Sequence, residues 1–200
     1  MCRAFVGAMF ALATLPAATA AYAQPVLDAG LARRLSSGEI VVDVTALPDG
    51  TGGRIVAVLD IAASPRRLWD VMLDCRHSMR IVDSLKSCKV TSADPNGKWD
   101  VRQHLVQWAW PLPNVRSVFR SDYVPFESIR FRKTDGDLKA LTGAWHLQSL
   151  AADRMTRLHY DAVVDPGVPL PGVLVRTAIE ADVRKTLAAL RREASGHDRR

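Results

Sequence analysis

Between Ser84 and Val164 the chain runs through six stretches rich in β-branched, aromatic or alternating apolar residues: "SLKSCKVTSAD", "KWDVRQHLVQWAW", "VRSVFRSDYV", "ESIRFRKTD", "ALTGAWHLQSL" and "RMTRLHYDAVV". Turn-forming clusters punctuate them: "PNG", "PLPN", "PFE", "DGDLK" and "AAD". Parallel neighbours need crossovers of a dozen residues or more, so connectors this short predict an antiparallel meander. Upstream, "EIVVDVTAL" and "GRIVAVLDIAA" flank the turn-rich "PDGTGG" and predict a hairpin. Between hairpin and meander lies "SPRRLWDVML", a helix signal in which Ser64 caps, Pro65 takes the first helical position, and Leu68, Val71 and Met72 share a face. "CRHSMRIVD" is expected to continue as a second short helix or a turn.

The last strand signal runs into "DPGVPLPGVLVRTAIEADV". Each of Pro166, Pro169 and Pro171 fixes φ and removes a backbone donor, so none can lie inside a paired ladder. The segment reads as an elbow. Beyond it Val175, Ile179, Val183, Leu187 and Leu190 recur at helical spacing and form one apolar stripe. Glu180 and Arg184 make an i,i+4 pair, and Arg191 and Arg192 suit the last turn. A helix of ~23 residues is ~35 Å long, enough to cross a curved sheet with its stripe facing inward.

Residues 1–23 carry a short basic start, an apolar alanine-rich stretch and "AYA" before Gln24, the pattern of a secretory signal peptide. Cys2 lies in its charged start with no lipobox before it and leaves with the leader. Residues 24–38 are expected to form an arm or short helix, 39–196 one domain, and 197–200 a tail; 48% hydrophobic and 24% charged residues in 200 suit that size. A periplasmic or secreted protein is the expectation. In an oxidising compartment the remaining pair, Cys75 and Cys88, favours a disulfide, which would add roughly 3 kcal/mol by closing a short loop. Two buried free thiols are the alternative; metal-type spacing is absent. The net charge of +6 is dispersed among acids, so nucleic acid is not an expected partner.

The order of these elements resembles the START-like superfamily, in particular its polyketide-cyclase, dehydrase and coenzyme Q-binding branch. The likeness rests on "IAASPRRLWDVMLD", "SLKSCKV", "TGAWHLQSL" followed by "TRLHYDAVVDPG", and the apolar C-terminal helix, and spans Gly53 to Ala194. It implies an α+β helix-grip fold: a curved antiparallel sheet wrapped around the long C-terminal helix, with two short helices after the first hairpin. It also implies an apolar cavity between sheet and helix.

A four-residue loop between the last two strands would set Trp145 opposite Tyr160 and Leu147 opposite Leu158, on the face that looks at the helix. Phe119, Tyr123, Ile129 and Phe131 supply further inward candidates. The expected ligand-binding residues are therefore Phe119, Tyr123, Phe131, Trp145, Leu147, Tyr160, Ile179, Val183 and Leu187; the competing reading of each is packed core. Trp108 and Trp110 flank "PLPN" and suggest a lip for a transient membrane contact, against ordinary packing under a loop. The same register makes His146 and His159 neighbours on the opposite, solvated face, where two histidines without a third ligand make no metal site. No nucleophile motif or phosphate-cradling loop is present. Asp161, Glu127, Asp122 and Arg130 are the candidates for acid–base work in a cavity.

These features favour an exported, monomeric binding or carrier protein for a lipid or other hydrophobic small molecule, requiring no cofactor. The alternatives are a cyclase/aromatase-like enzyme, which a polar pair pointing into the cavity would favour, and a protein-binding accessory factor, which a space too small for a ligand would favour.

Overall fold

The computed structural model describes residues 28–107, 114–167 and 172–196. Residues 1–27, Trp108, Trp110, Pro169, Pro171 and residues 197–200 lie outside the described residues, as does the side chain of Val175. In chain order the elements are α1 (Ala29–Ser36), β1 (Val41–Ala46), β2 (Gly53–Ile61), α2 (Pro65–Leu73), α3 (Cys75–Ile81), β3 (Leu85–Ala93), β4 (Trp99–Val106), β5 (Val115–Val124), β6 (Ser128–Gly136), β7 (Ala140–Leu150), β8 (Met155–Asp165) and α4 (Gly172–Ala194).

Local chemistry sets the helix boundaries. Asp28 accepts from the Leu31 amide at 2.7 Å to start α1, and Ser64 accepts from the Arg67 amide at 3.2 Å with Pro65 in the first turn of α2. Asp74 ends α2 in an extended conformation and at once caps α3, taking the Arg76 amide at 2.7 Å. One residue therefore breaks what would be a single helix into two short ones.

The eight strands form one sheet in the order β1-β2-β8-β7-β6-β5-β4-β3, antiparallel at every pair. Strands β3 to β8 run as the expected meander, and β8 closes onto β2. The β7–β8 register sets Trp145 opposite Tyr160, His146 opposite His159 and Leu147 opposite Leu158. After β8, the start of the elbow is fixed by Asp165, whose carboxylate accepts from the Gly167 amide and the Thr51 hydroxyl, both at 2.8 Å.

Helix α4 crosses the inner face, packing on β1 and β2 and meeting α2 and α3. Arg184 reaches from it to the outermost strand, donating to the Ile40 carbonyl at 2.7 Å and the Val42 carbonyl at 3.3 Å, and Arg191 donates to the Gly38 carbonyl at 2.7 Å. At the opposite edge, Cys75 at the head of α3 is bonded to Cys88 on β3, with a Cα separation of 5.4 Å. The main core joins Leu59, Ile61, Leu68, Val71, Leu147, Leu158, Leu187 and Leu190, all buried.

The outer face differs from expectation in one place. His146 and His159 pair as predicted, yet His159 is only 8% exposed and His146 half-buried. Helix α1 packs against β2, the strand whose Val58 lies opposite His159, and Leu35 and Val58 are both buried apart from the main core. Burial pushes both imidazoles down, helped by Arg130 at His146 and by Arg157 and His146 at His159.

Candidate functional site

Between α4 and the inner face of the sheet lies a cavity of about 920 Å³. One wall is a run of rings from neighbouring strands. The His104 ring meets Phe119 edge-on at 4.9 Å, Phe119 meets Phe131 at 6.3 Å, Phe131 stacks with Tyr160 at 6.3 Å, and Tyr160 stacks with Trp145 at 3.8 Å. Small residues make room for this wall. A Cβ on Gly143 would lie 2.7 Å from Cζ of Phe131 and 2.5 Å from the Asp161 carbonyl, so only glycine lets the ring settle there. Ala57 and Ala162 are fully buried on the same face.

The opposite wall is α4, through Ile179, Val183, Thr186, Leu187 and Leu190. Helices α2 and α3 close one side with Met72, Leu73, Ser78 and Ile81, followed by Val82. Eight of the nine residues predicted to meet a ligand thus line one space. Leu147 does not: it is 7% exposed and belongs to the solid core beneath α2.

A polar group interrupts the apolar lining. Asp100 and Arg102, two apart on β4, both face inward and are buried as an ion pair, with the Arg102 Nη2 at 2.8 Å and Nε at 2.9 Å from Asp100 Oδ2. Arg102 Nη2 also reaches the Tyr123 hydroxyl at 3.4 Å. Burial is the largest single influence and works against the guanidinium charge, but the hydrogen bonds Arg102 donates to Asp100, with the field of Asp100 and Tyr123, together outweigh it and keep Arg102 protonated. Nη1 makes no hydrogen bond among the described residues, and Arg102 borders the cavity, so a donor remains for a guest. Ser121 and His104 share this wall. Burial pushes the His104 imidazole down to about 4, which leaves it neutral at physiological pH, and its buried Nε2 has no hydrogen-bond partner among the described residues. Across the space Asp182 on α4 borders the cavity, and desolvation raises its carboxyl.

The acid–base candidates named from sequence are elsewhere. Asp161 pairs with Arg54 at 2.7 Å, Asp122 with Arg120 at 2.8 Å, and Glu127 and Arg130 are exposed. The titratable residues that do border the space, Arg102, His104 and Asp182, were missed. For β4 the available signal was its strict alternation: Asp100, Arg102 and His104 share one parity and must face one way together. Among the described residues no group of three or more His, Cys, Asp or Glu is placed to hold a metal ion. No described helix is long and apolar enough to cross a membrane.

The family described as polyketide cyclase/dehydrase and lipid transport matches residues 61–191. The chain belongs to that family. Its sequence matches no curated protein. Among solved structures, a STAR-related lipid transfer protein from Xanthomonas axonopodis is similar with a TM-score of 0.66 at 16% identity, covering 78% of this chain and 93% of its own. Human STARD10 gives 0.64 at 17% identity over 84% and 80% of the two chains. The Zhui aromatase/cyclase from Streptomyces sp. R1128 gives 0.56 at 18% over 72% and 92%. At such identities these polyketide cyclase/lipid transport relatives share the helix-grip fold with this chain, a curved antiparallel sheet around a long C-terminal helix.

Proposed function

We propose that this protein is an exported carrier that binds a lipid or other hydrophobic small molecule between sheet and helix, with the guest's polar end at Arg102. The cavity of about 920 Å³, apolar but for a few polar groups on its walls, carries this reading. Burial is worth ~25 cal/mol per Å² of apolar surface, so a few hundred Å² contributes several kcal/mol before the cost of ordering the guest. The free Arg102 donor supplies orientation: a carbonyl, hydroxyl or carboxylate oxygen satisfies it, and a pure hydrocarbon leaves it unpaired at a cost. Export is supported by the three-part leader pattern of residues 1–23 and by the Cys75–Cys88 bond. A lipid transfer protein and an aromatase/cyclase both occur among the structures of similar fold.

A cyclase-like activity is the second reading, favoured by Arg102, Tyr123 and neutral His104 sharing one wall, where a polarising donor and a proton acceptor face the same guest. The closed-cavity accessory factor loses its ground in a space of this size.

Native mass spectrometry of protein purified from its own cells, followed by solvent extraction, tests the proposal. The expected result is one apolar, oxygen-bearing species per chain. Replacing the ion pair together, Asp100→Leu with Arg102→Met, avoids orphaning a buried charge and is expected to weaken that species at least tenfold while the chain stays folded. Absence of any bound species, with no uptake of an apolar fluorescent probe, would overturn the carrier reading. Conversion of the bound species into a cyclised product would decide for the enzyme.

A further inference from the structure

We infer that the Cys75–Cys88 bond is a reducible latch on the cavity wall: exchange with a partner dithiol frees α3 from β3 and speeds the passage of a guest. The inference rests on the reading that the cavity takes a guest. Helix α3 brings Ser78 and Ile81, and Val82 just after it, to the lining, whereas no residue of β3 lines the cavity. The bond therefore ties a wall element to a strand that only buttresses it.

Besides the burial of Ile81 in the core and the packing of the helix on α2, two side-chain links hold α3. One is the disulfide at its first residue; the other is Glu193 of α4, which His77 and Arg80 engage from the far side of the helix. A seven-residue helix has too few internal hydrogen bonds to persist without such ties. The strand at the other end of the bond is also placed to yield. β3 is an edge strand paired only with β4, and its register shifts on both sides of Cys88, between Leu85 and Ser87 and between Val90 and Ser92.

The sulfurs can be reached. Cys75 and Cys88 are both half-buried, and they border a surface hollow of about 300 Å³ shared with Arg76, Met79, Lys86 and Ser87. An incoming thiolate meets Lys86 there, and Arg76 already paired with the Asp74 carboxylate at 2.8 Å, while Met79 offers an apolar contact. The chemistry balances within the exchange. The partner's thiolate bonds to one sulfur and expels the other as a thiolate; the partner's second thiolate then attacks the partner's own sulfur in that mixed disulfide and expels the remaining cysteine, leaving a partner disulfide. The dithiol supplies both electrons and both protons, so Cys75 and Cys88 end as free thiols.

The test compares the full oxidised chain with the same chain treated with dithiothreitol, alkylation confirming two thiols, and with a Cys75→Ser/Cys88→Ser double variant. Amide hydrogen exchange is followed in residues 75–82, with β7 and β8 as the internal reference, alongside the release rate of a preloaded fluorescent fatty acid. The expected result on reduction is at least tenfold faster exchange in α3, unchanged exchange in β7 and β8, and at least tenfold faster release. Unaltered α3 exchange, unaltered release from a loaded protein, or a bond that resists dithiothreitol in the native state would overturn the latch. So would uniform loss of protection through β7 and β8, which would make the bond a staple of the whole fold. If the oxidised protein takes up no probe, the carrier reading fails by itself, and α3 exchange alone decides whether the bond is a latch. The reduced wild type answers the question if the double variant does not fold.

Discussion

Trp145 and Leu147 stand two residues apart on β7, face the same side of the sheet, and live in different surroundings. Leu147 sits among Leu59, Leu68, Val71, Leu158 and Leu187, every one of them buried. Trp145 stacks on Tyr160 at the border of an open space. The difference lies in what covers them. Over the Leu147 end two helices converge, α2 resting on β7 and β8 while also touching α4. Over the Trp145 end α4 spans the gap, and α2 and α3 reach it only at one side, through Met72, Leu73, Ser78 and Ile81. A single helix cannot fill the curve of an eight-stranded sheet, and the strands there offer Gly143, Ala57 and Ala162 beneath the rings instead of more leucine. Hollow and core are thus made by one helix and one sheet, and a second helix decides which is which.

The sharpest break of this contrast is a cavity made in the solid end. Leu158→Ala, at a fully buried position, is expected to cost about 3 kcal/mol or more in urea unfolding, whereas Ile179→Ala at the open end is expected to cost less than about 1 kcal/mol. Equal losses would mean that the two ends are packed alike. Acid is the next probe. Because burial holds the folded-state His104 at about 4 against an ordinary 6.5, its contribution is complete above about pH 6.5 and is lost as pH falls toward 4, by no more than about 3 kcal/mol. His146 and His159 are lowered too and act in the same direction from the outer face. Stability measured from pH 7 to 4 should therefore decline, and His104→Phe should flatten the curve; an unchanged slope in that variant would place the titration wholly on the outer face. The smallest stability effect is expected from Val183→Trp. A hollow absorbs the added volume, so the melting temperature should move by a few degrees at most while probe uptake falls tenfold; a packed site would instead resist at ~1–3 kcal/mol.

The strand order and the long helix were readable because turn residues and periodicity are local signals. The β7–β8 register was readable for the same reason, a four-residue loop leaving one way to keep Trp145 opposite Tyr160. Leu147 was misplaced because its surroundings depend on where α2 docks, a contact with residues some 80 positions away in sequence. The polar wall was hidden by inversion. On β4 the apolar residues Trp99, Val101 and Leu105 lie on the outer side, with Arg120 set over the Trp99 ring at 4.2 Å, while Asp100, Arg102 and His104 face in. Alternation fixes which residues go together, but burial preference alone assigns this strand the wrong way round. The buried histidine pair escaped for a related reason: α1 covers part of a face that an antiparallel sheet would ordinarily leave to water.

One mechanical property follows from the way α4 is held. Its C-terminal end is seated by Leu187, Leu190 and Ala194, all buried, and by Glu193. Toward its other end Val173 is 69% exposed, and Arg176, Thr177 and Ala178 are exposed as well. From Leu187 back to Val173 is about 20 Å at 1.5 Å per residue, with Arg184, Val183 and Ile179 as intermediate holds, so the exposed stretch lies well away from the buried leucines. A tilt of about 10° about Leu187 would carry Val173 about 3.5 Å, a full contact distance between carbon atoms. In the proposed carrier, an opening at this end would leave the buried leucines of the anchor in place.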